Sequence, residues 1–305
     1  MYALIGIAAV FAAVFGGYLL ESGNLYVLFQ PAELLIVGGA AAGIVMVANP
    51  PAVMLRMLRG CVAAFRPPTR TPKVFLRYMR MLYEIFCFIQ RAGIMEFEND
   101  VEDPTKSRIF CNHPEFLKDL PTRDFVCDSL RMLVVGLTTP SDLDQLMELD
   151  IEVQRKSRQE PVAALHAVAD ALPGLGIVAA VLGVVITMQS IGGPPDAIGQ
   201  KVAAALVGTF LGILLCYGVV GPIASRFEKL GETEAQLLHV LRIAMVAFAR
   251  GASPILAVEY ARRSVPVDLR PSFLDMEITI KREARIPPVP KPHIPEAADA
   301  QAQPA

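Results

Sequence analysis

The chain has 305 residues, 53% of them apolar and 19% charged, with a formal net charge of −2 and a mean hydropathy of +0.45. That is too apolar for an ordinary soluble domain and too charged to lie wholly in a bilayer, and the near-neutral balance offers no electrostatic footprint for nucleic acid. Five cysteines with no CxxC spacing argue against a disulfide framework or a zinc site and suit a reducing cytoplasm.

Four uncharged stretches, Tyr2–Leu20, Leu34–Leu55, Ala171–Pro195 and Val202–Ser225, set the class. A helix of about 20 residues crosses the hydrocarbon of a bilayer, and each stretch is near or above that length. The first has no basic leader and is followed by Glu21-Ser22-Gly23 instead of a small-residue cleavage site, so a retained span is expected. The second is open to an earlier end near Asn49, because Pro50-Pro51 stops a helix. Between the first two spans there is no Lys or Arg, and between the last two only Lys201. Residues 56–80 carry Arg56, Arg59, Arg66, Arg70, Lys73, Arg77 and Arg80 without an acid, and Arg226 and Lys229 follow the fourth span. The positive-inside rule then places 56–170, 226–305 and both termini in the cytoplasm.

The insert reads as helical. Over 73–91, Phe75, Met79, Leu82, Phe86 and Ile89 fall on one face and Lys73, Arg77, Arg80, Glu84 and Arg91 on another. A charged helix is expected from a cap at Ser141, bent or restarted at Pro161. Residues 226–263 read as helix again, broken near Gly251–Pro254, and the proline- and alanine-rich segment from Ile286 reads as disordered. The expected fold is an all-α integral membrane protein of four spans in two hairpins. Its segments are a first hairpin (1–55), a cytoplasmic helical domain (56–170), a second hairpin (171–225), C-terminal helices (226–285) and a tail (286–305).

Within the last two spans, Gly176 and Ala180 are four apart, as are Ala204, Gly208 and Gly212, so each set makes a flat ridge on a helix. The ridges fit generic helix packing, or a smooth wall against a helix that must slide. Thr209 lies beside the second ridge, and a mid-span threonine commonly bonds back to its own helix. Pro173 and Pro222 fit a helix start and a kink or stop. No Asp, Glu, Lys, Arg or His falls inside the four stretches. Proton and cation paths usually need such a group, so an ion-driven machine would have to take it from a partner helix. In the insert, the sequence after Arg91 turns acidic at Glu96, Glu98, Asp100, Glu102 and Asp103. It reads as a solvated face or as a docking face for a charged partner. Arg91 and Glu98 would share a face only if the helix ran through Gly93. His166 reads as packed on an apolar helix, Cys111 and His113 lack a second ligand pair, and no hydrolase, zincin or phosphate-loop motif is present.

The stretches FGGYL (15–19), QPAELLIVGGA (30–40), LPGLGIVAAVLGVV (172–185), VGTFLGILLCYG (207–218) and RPSF (270–273) resemble the MotA family of flagellar motor stator subunits, over roughly residues 1–275. The resemblance implies a multi-pass protein of the bacterial inner membrane, forming a ring of five around a dimer of a MotB-type subunit whose helix carries an ion-binding aspartate. It implies that the third and fourth spans line the path, with Gly176, Ala204, Gly208 and Gly212 forming ridges that let the ring step. Pro173 and Pro222 match prolines that couple ion passage to movement, and Ala180 and Thr209 match positions near the partner aspartate. Sodium-driven relatives typically carry threonine where Ala180 stands; alanine offers a hard cation no oxygen, so protons are expected as the coupling ion, with no cofactor, metal or catalytic group. Glu98 matches an acidic position facing the rotor switch protein. Relatives often have a basic residue where this chain has Gln90, and Arg91 is the neighbouring candidate. The implied function is torque generation; the alternatives are an ExbB/TolQ-type energiser, whose members generally have one span before the insert, and a membrane scaffold without energy conversion.

Overall fold

The computed structural model describes residues 2–66, 70–136, 138–189, 192 and 194–288. Among these residues all regular structure is helical. In chain order the helices are α1 (Tyr2–Leu20), α2 (Leu25–Leu28), α3 (Pro31–Ala48), α4 (Pro51–Ala64), α5 (Pro72–Ala92), α6 (Glu98–Glu102), α7 (Pro114–Lys118), α8 (Leu120–Val135), α9 (Pro140–Met188), α10 (Pro195–Leu215), α11 (Gly221–Ala249), α12 (Pro254–Ser264) and α13 (Phe273–Glu283). Four stretches are long and apolar enough to cross a membrane: 3–20, 25–48, one within α9 and one within 195–249. From residue 289 on, the tail expected to be disordered lies outside the described residues.

The chain folds as two compact units. The five segments expected from the sequence are not these units, because each unit joins pieces from both halves of the chain. One comprises residues 1–70 and 151–235, the other 71–150 and 236–305, so α9 and α11 each contribute to both.

In the first unit, prolines set the helix starts. Pro31 and Pro51 occupy first-turn positions of α3 and α4, where a missing N–H costs nothing. The second span therefore ends at Ala48, as the Pro50-Pro51 pair implies, and begins earlier than the uncharged stretch, taking Glu33 into its first turn. Glu33, Val37, Ala41 and Val45, spaced by four, are the buried residues of α3. Val37 and Ala41 pack with Ala169, Leu172, Ala179 and Cys216, and Val45 with Val53, Met57, Ala164, Leu165 and Ala224. The last carbonyls of α4 and its exit are capped by the Arg226 guanidinium, which donates to Ala64 O and, at 3.1 Å, to Arg66 O.

The helix at 140 departs from expectation in three ways. Its start is held by Thr139, not Ser141: Asp142 N donates to Thr139 Oγ1 at 3.2 Å, and Thr139 donates back to the Asp142 carboxylate. Pro161 does not restart it: α9 runs 49 residues through both Pro161 and Pro173. A mid-helix proline frees the carbonyl four residues before it. For Pro161 that is Ser157 O, and Arg56 Nη1 donates to it at 3.0 Å and to Ser157 Oγ at 2.7 Å, while Nη2 reaches Glu160 at 3.1 Å. His166, expected to be packed, is 38% exposed and lies 3.6 Å from Glu228.

The second unit is built on α5, whose apolar face is buried as expected. Phe86 stacks on Phe248 with centroids 4.2 Å apart, and Phe110 on Phe116 at 4.9 Å. Glu84, expected on the polar face, is 1% exposed. It is compensated by His113 Nε2 at 2.9 Å and by the Arg285 backbone N–H at 2.9 Å, so a charged residue enters the core because it has donors there. The break expected near Gly251–Pro254 is present, between α11 and α12. The RPSF stretch is a joint: Arg270 donates to Val265 O and Arg263 O at 3.0 Å, closing α12, and Ser272 Oγ accepts from Asp275 N at 3.0 Å, opening α13.

Candidate functional site

The apolar end of α9 and helix α10 meet through glycine. A Cβ on Gly176 would lie 2.7 Å from Gly208 O and 3.2 Å from Thr209 Cα; one on Gly212 would lie 2.5 Å from Leu172 O and 3.0 Å from Gly176 Cα. Gly176, Gly208 and Gly212 thus face one another inside this hairpin and are occupied by its own packing. Ala204 is half-buried beside them. Ala180 and Thr209 are half-buried as well, both next to this contact. A different threonine of these spans bonds back to its own helix: the Thr187 hydroxyl donates to Gly183 O at 2.8 Å. Away from the contact, Ile177, Val181, Val184 and Met188 form an exposed apolar stripe on α9, available to lipid or to a partner helix.

Pro173 lies inside α9, and the carbonyl it releases belongs to Ala169, buried in the α3 cluster. Pro222 sits in the first turn of α11, directly after a π-helical turn at Cys216–Val220. There the Gly221 N–H reaches back five residues to Cys216 O. Pro222 has no N–H for Gly218 O, and the wider turn absorbs that loss. The two prolines therefore interrupt the hydrogen-bond ladders of the two helices that leave the apolar region.

The charge-free reading of the spans needs correction. Glu33 lies within the 25–48 span, 8% exposed, with its carboxyl against Gly183 and Gly208. The uncharged stretch starts at Leu34, whereas Pro31 starts the helix. The signal was its spacing of four from Val37, Ala41 and Val45.

Arg91 and Glu98 are both exposed, as is Gln90. They do not share a continuous helix: α5 stops at Gly93, whose φ of +90° only glycine adopts readily, and a short 3-10 turn precedes α6. Among the described residues no group of three or more His, Cys, Asp or Glu could hold a metal ion.

Comparison with known proteins matches residues 4–93 to the family described as "Motility protein A N-terminal" and residues 118–239 to the "MotA/TolQ/ExbB proton channel family". Motility protein A of Salmonella typhimurium is 34% identical over 277 residues, 91% of this chain and 94% of that protein. The chain belongs to the motility protein A family. Motility protein A of Escherichia coli matches with the same identity and coverage, and chemotaxis protein LafT of Vibrio parahaemolyticus is 34% identical over 91% of this chain and 97% of its own length. The MotA fold is also seen in a solved structure of C. jejuni MotAB, with a TM-score of 0.74 at 19% identity over 89% of this chain and 98% of that one. A flagellar MotAB stator complex from Bacillus subtilis matches with a TM-score of 0.68 at 22% identity, over 84% of this chain and 92% of that one. The chain is a multi-pass, all-α membrane protein of a family of motility and proton channel proteins.

Proposed function

We propose that this chain is the ring-forming subunit of a flagellar motor stator, which turns a proton gradient into torque on the rotor and does no covalent chemistry. One observation carries the reading: identity of 34% with motility protein A over 91% of the chain, with relatives covered almost end to end. In this reading five copies surround a dimer of a MotB-type subunit in the bacterial inner membrane. The Lys and Arg distribution supports two hairpins with both termini in the cytoplasm. The match of residues 4–93 to the motility protein A N-terminal family favours the motor over an ExbB/TolQ-type energiser.

The exposed stripe of α9 and the half-buried Ala180 and Thr209 then face the partner helix and its carboxylate. Protonation of that carboxylate removes a charge from hydrocarbon and changes which packing is preferred. The change reaches the cytoplasm along α9 and α11, yielding at Pro173 and at the π-turn before Pro222. Arg91 and Glu98, both exposed, are assigned to the rotor switch protein. Ala180 contributes no oxygen to a hard cation, which favours protons over sodium.

The test is rotation of single tethered cells lacking this protein, with and without its re-expression, while proton and sodium gradients are collapsed separately. Filaments that assemble but stay still, regain rotation on re-expression and stop only on proton collapse are expected. Rotation that follows sodium would remove the proton assignment, and rotation independent of this chain would remove the stator reading.

A further inference from the structure

The spans contain one carboxyl with no stated role. Glu33 stands at the third position of α3, after Pro31 and Ala32. It is more than nine-tenths buried, and no hydrogen-bond donor among the described residues reaches its buried Oε2. The carboxyl sits in a notch between two spans whose walls are glycine. A Cβ on Gly208 would come 2.6 Å from Oε2, and one on Gly183 would come 3.3 Å from Oε1. The same Gly208 Cβ would be 3.0 Å from Ala179 Cβ and 3.1 Å from the Ala180 nitrogen, so the notch opens beside the residues assigned to the ion path. Any larger residue at 183 or 208 would press on the carboxyl.

Among the described residues no cation pairs with it. The ionisable groups that flank the apolar stretches of the helices around α3 are Asp196 and Lys201 at the start of α10, His166 and Asp170 on α9 before Pro173, and Arg56 and Arg59 on α4. None forms an ion pair with Glu33 among the described residues. An unpaired carboxylate in hydrocarbon is expensive, a carboxylic acid far less so, and an ionisable residue in a span faces a functional path more often than it faces lipid.

We propose that Glu33 is a proton-binding site carried by this chain itself, a way-station that takes a proton in the Gly183–Gly208 notch and exchanges it with the path beside Ala180. The inference rests on the stator reading. In that reading each protomer of the ring contributes one such carboxyl in addition to those of the partner dimer, and the notch keeps it close to the α9–α10 contact without a side chain between.

The experiment uses the full complex purified with its MotB-type partner, and cells expressing the same variants. Glu33→Gln keeps the size and neutrality of the acid but cannot exchange a proton. pH-difference infrared spectra of the wild type should show the carbonyl band of a protonated carboxyl, absent from Glu33→Gln and displaced in Gly208→Ala, whose added methyl presses on Oε2. In cells, Glu33→Gln should reach the membrane at wild-type levels, rotate several-fold slower at low load and lose its response to external pH, with Glu33→Asp partly restoring both. A band retained in Glu33→Gln and unmoved in Gly208→Ala overturns the proposal, as does wild-type rotation of Glu33→Gln at every external pH. A displacement of the band by sodium at constant pH overturns it in favour of a metal cation. These outcomes differ from failure of the stator reading, which appears as rotation in cells lacking the chain altogether.

Discussion

Glu259 accepts two bonds from Arg262, at 2.8 and 2.9 Å, and one from Arg263 at 2.7 Å. These bonds, Arg262 first, hold its carboxyl down at about 2 against an ordinary 4.5. A depressed carboxylate gives stability that is complete above its ordinary value and is lost as pH falls through its folded value. Protection factors of the α12 and α13 amides in the solubilised complex, which divide out the slowing of intrinsic exchange in acid, should therefore fall as pH drops from about 4.5 towards 2. Glu259→Gln should show the lower protection already at neutral pH, a local loss of about 1–2 kcal/mol; equal protection there would contradict the assignment. Cys127 lies at the other extreme: burial pushes its thiol up to about 12, so it should stay unlabelled by alkylating reagents while the exposed Cys111 reacts. Gly212 sets a steric limit. A branched side chain there meets the Leu172 carbonyl and Gly176 Cα, backbone atoms that cannot swing aside. Gly212→Val should cost about 3 kcal/mol and remove the assembled complex from size-exclusion profiles. Gly174→Ala, whose Cβ meets nothing within 4 Å, should leave the profile unchanged.

At the scale of an element, Pro161 and Arg56 form one device. Arg56→Ala strips the donor from Ser157 O and should lower thermal stability by about 0.5–1 kcal/mol, since these bonds are partly exposed. In Arg56→Ala/Pro161→Ala an alanine N–H at 161 can pair with Ser157 O, so the double variant should regain much of the loss, and strict additivity would refute the pairing. Pro222→Ala should let the π-turn relax into α-helix and stop rotation while the complex still assembles, read by tethered-cell assays beside co-purification. These devices mark the limit of what the sequence disclosed. The apolar face of α5, the stop at Asn49, the helical first stretch and the break before Pro254 follow from local periodicity and proline chemistry. Glu84 and the continuity of α9 did not. Glu84 is buried because His113 and the Arg285 backbone stand opposite, and Pro161 is tolerated because Arg56 comes from a helix far away in sequence. Glu33 was missed differently: its register was readable, but taking the span as an uncharged stretch drew its edge at Leu34, three residues after the helix start at Pro31.

For the whole molecule, the buried core and the residues assigned to the rotor are different sets of positions. The core of the second unit is a cluster of phenylalanines around α5, while Arg91 and Glu98 are exposed. Arg91→Ala and Glu98→Lys should change thermal stability by less than about 0.5 kcal/mol. If these residues push on the rotor, both variants should nonetheless reduce swarming on soft agar; wild-type swarming with wild-type stability would withdraw them from the rotor face. The glycines of the α9–α10 contact should instead trade motility and assembly together.

The bond from Arg56 to Ser157 also bears on how such chains diverge. Neither partner has much reason to persist alone: without proline at 161 the carbonyl at 157 is satisfied within its own helix, and without arginine at 56 the proline is a liability. Across a deep set of related sequences the two positions should be gained and lost together, a covariance between sites 105 residues apart that composition at either site would not disclose.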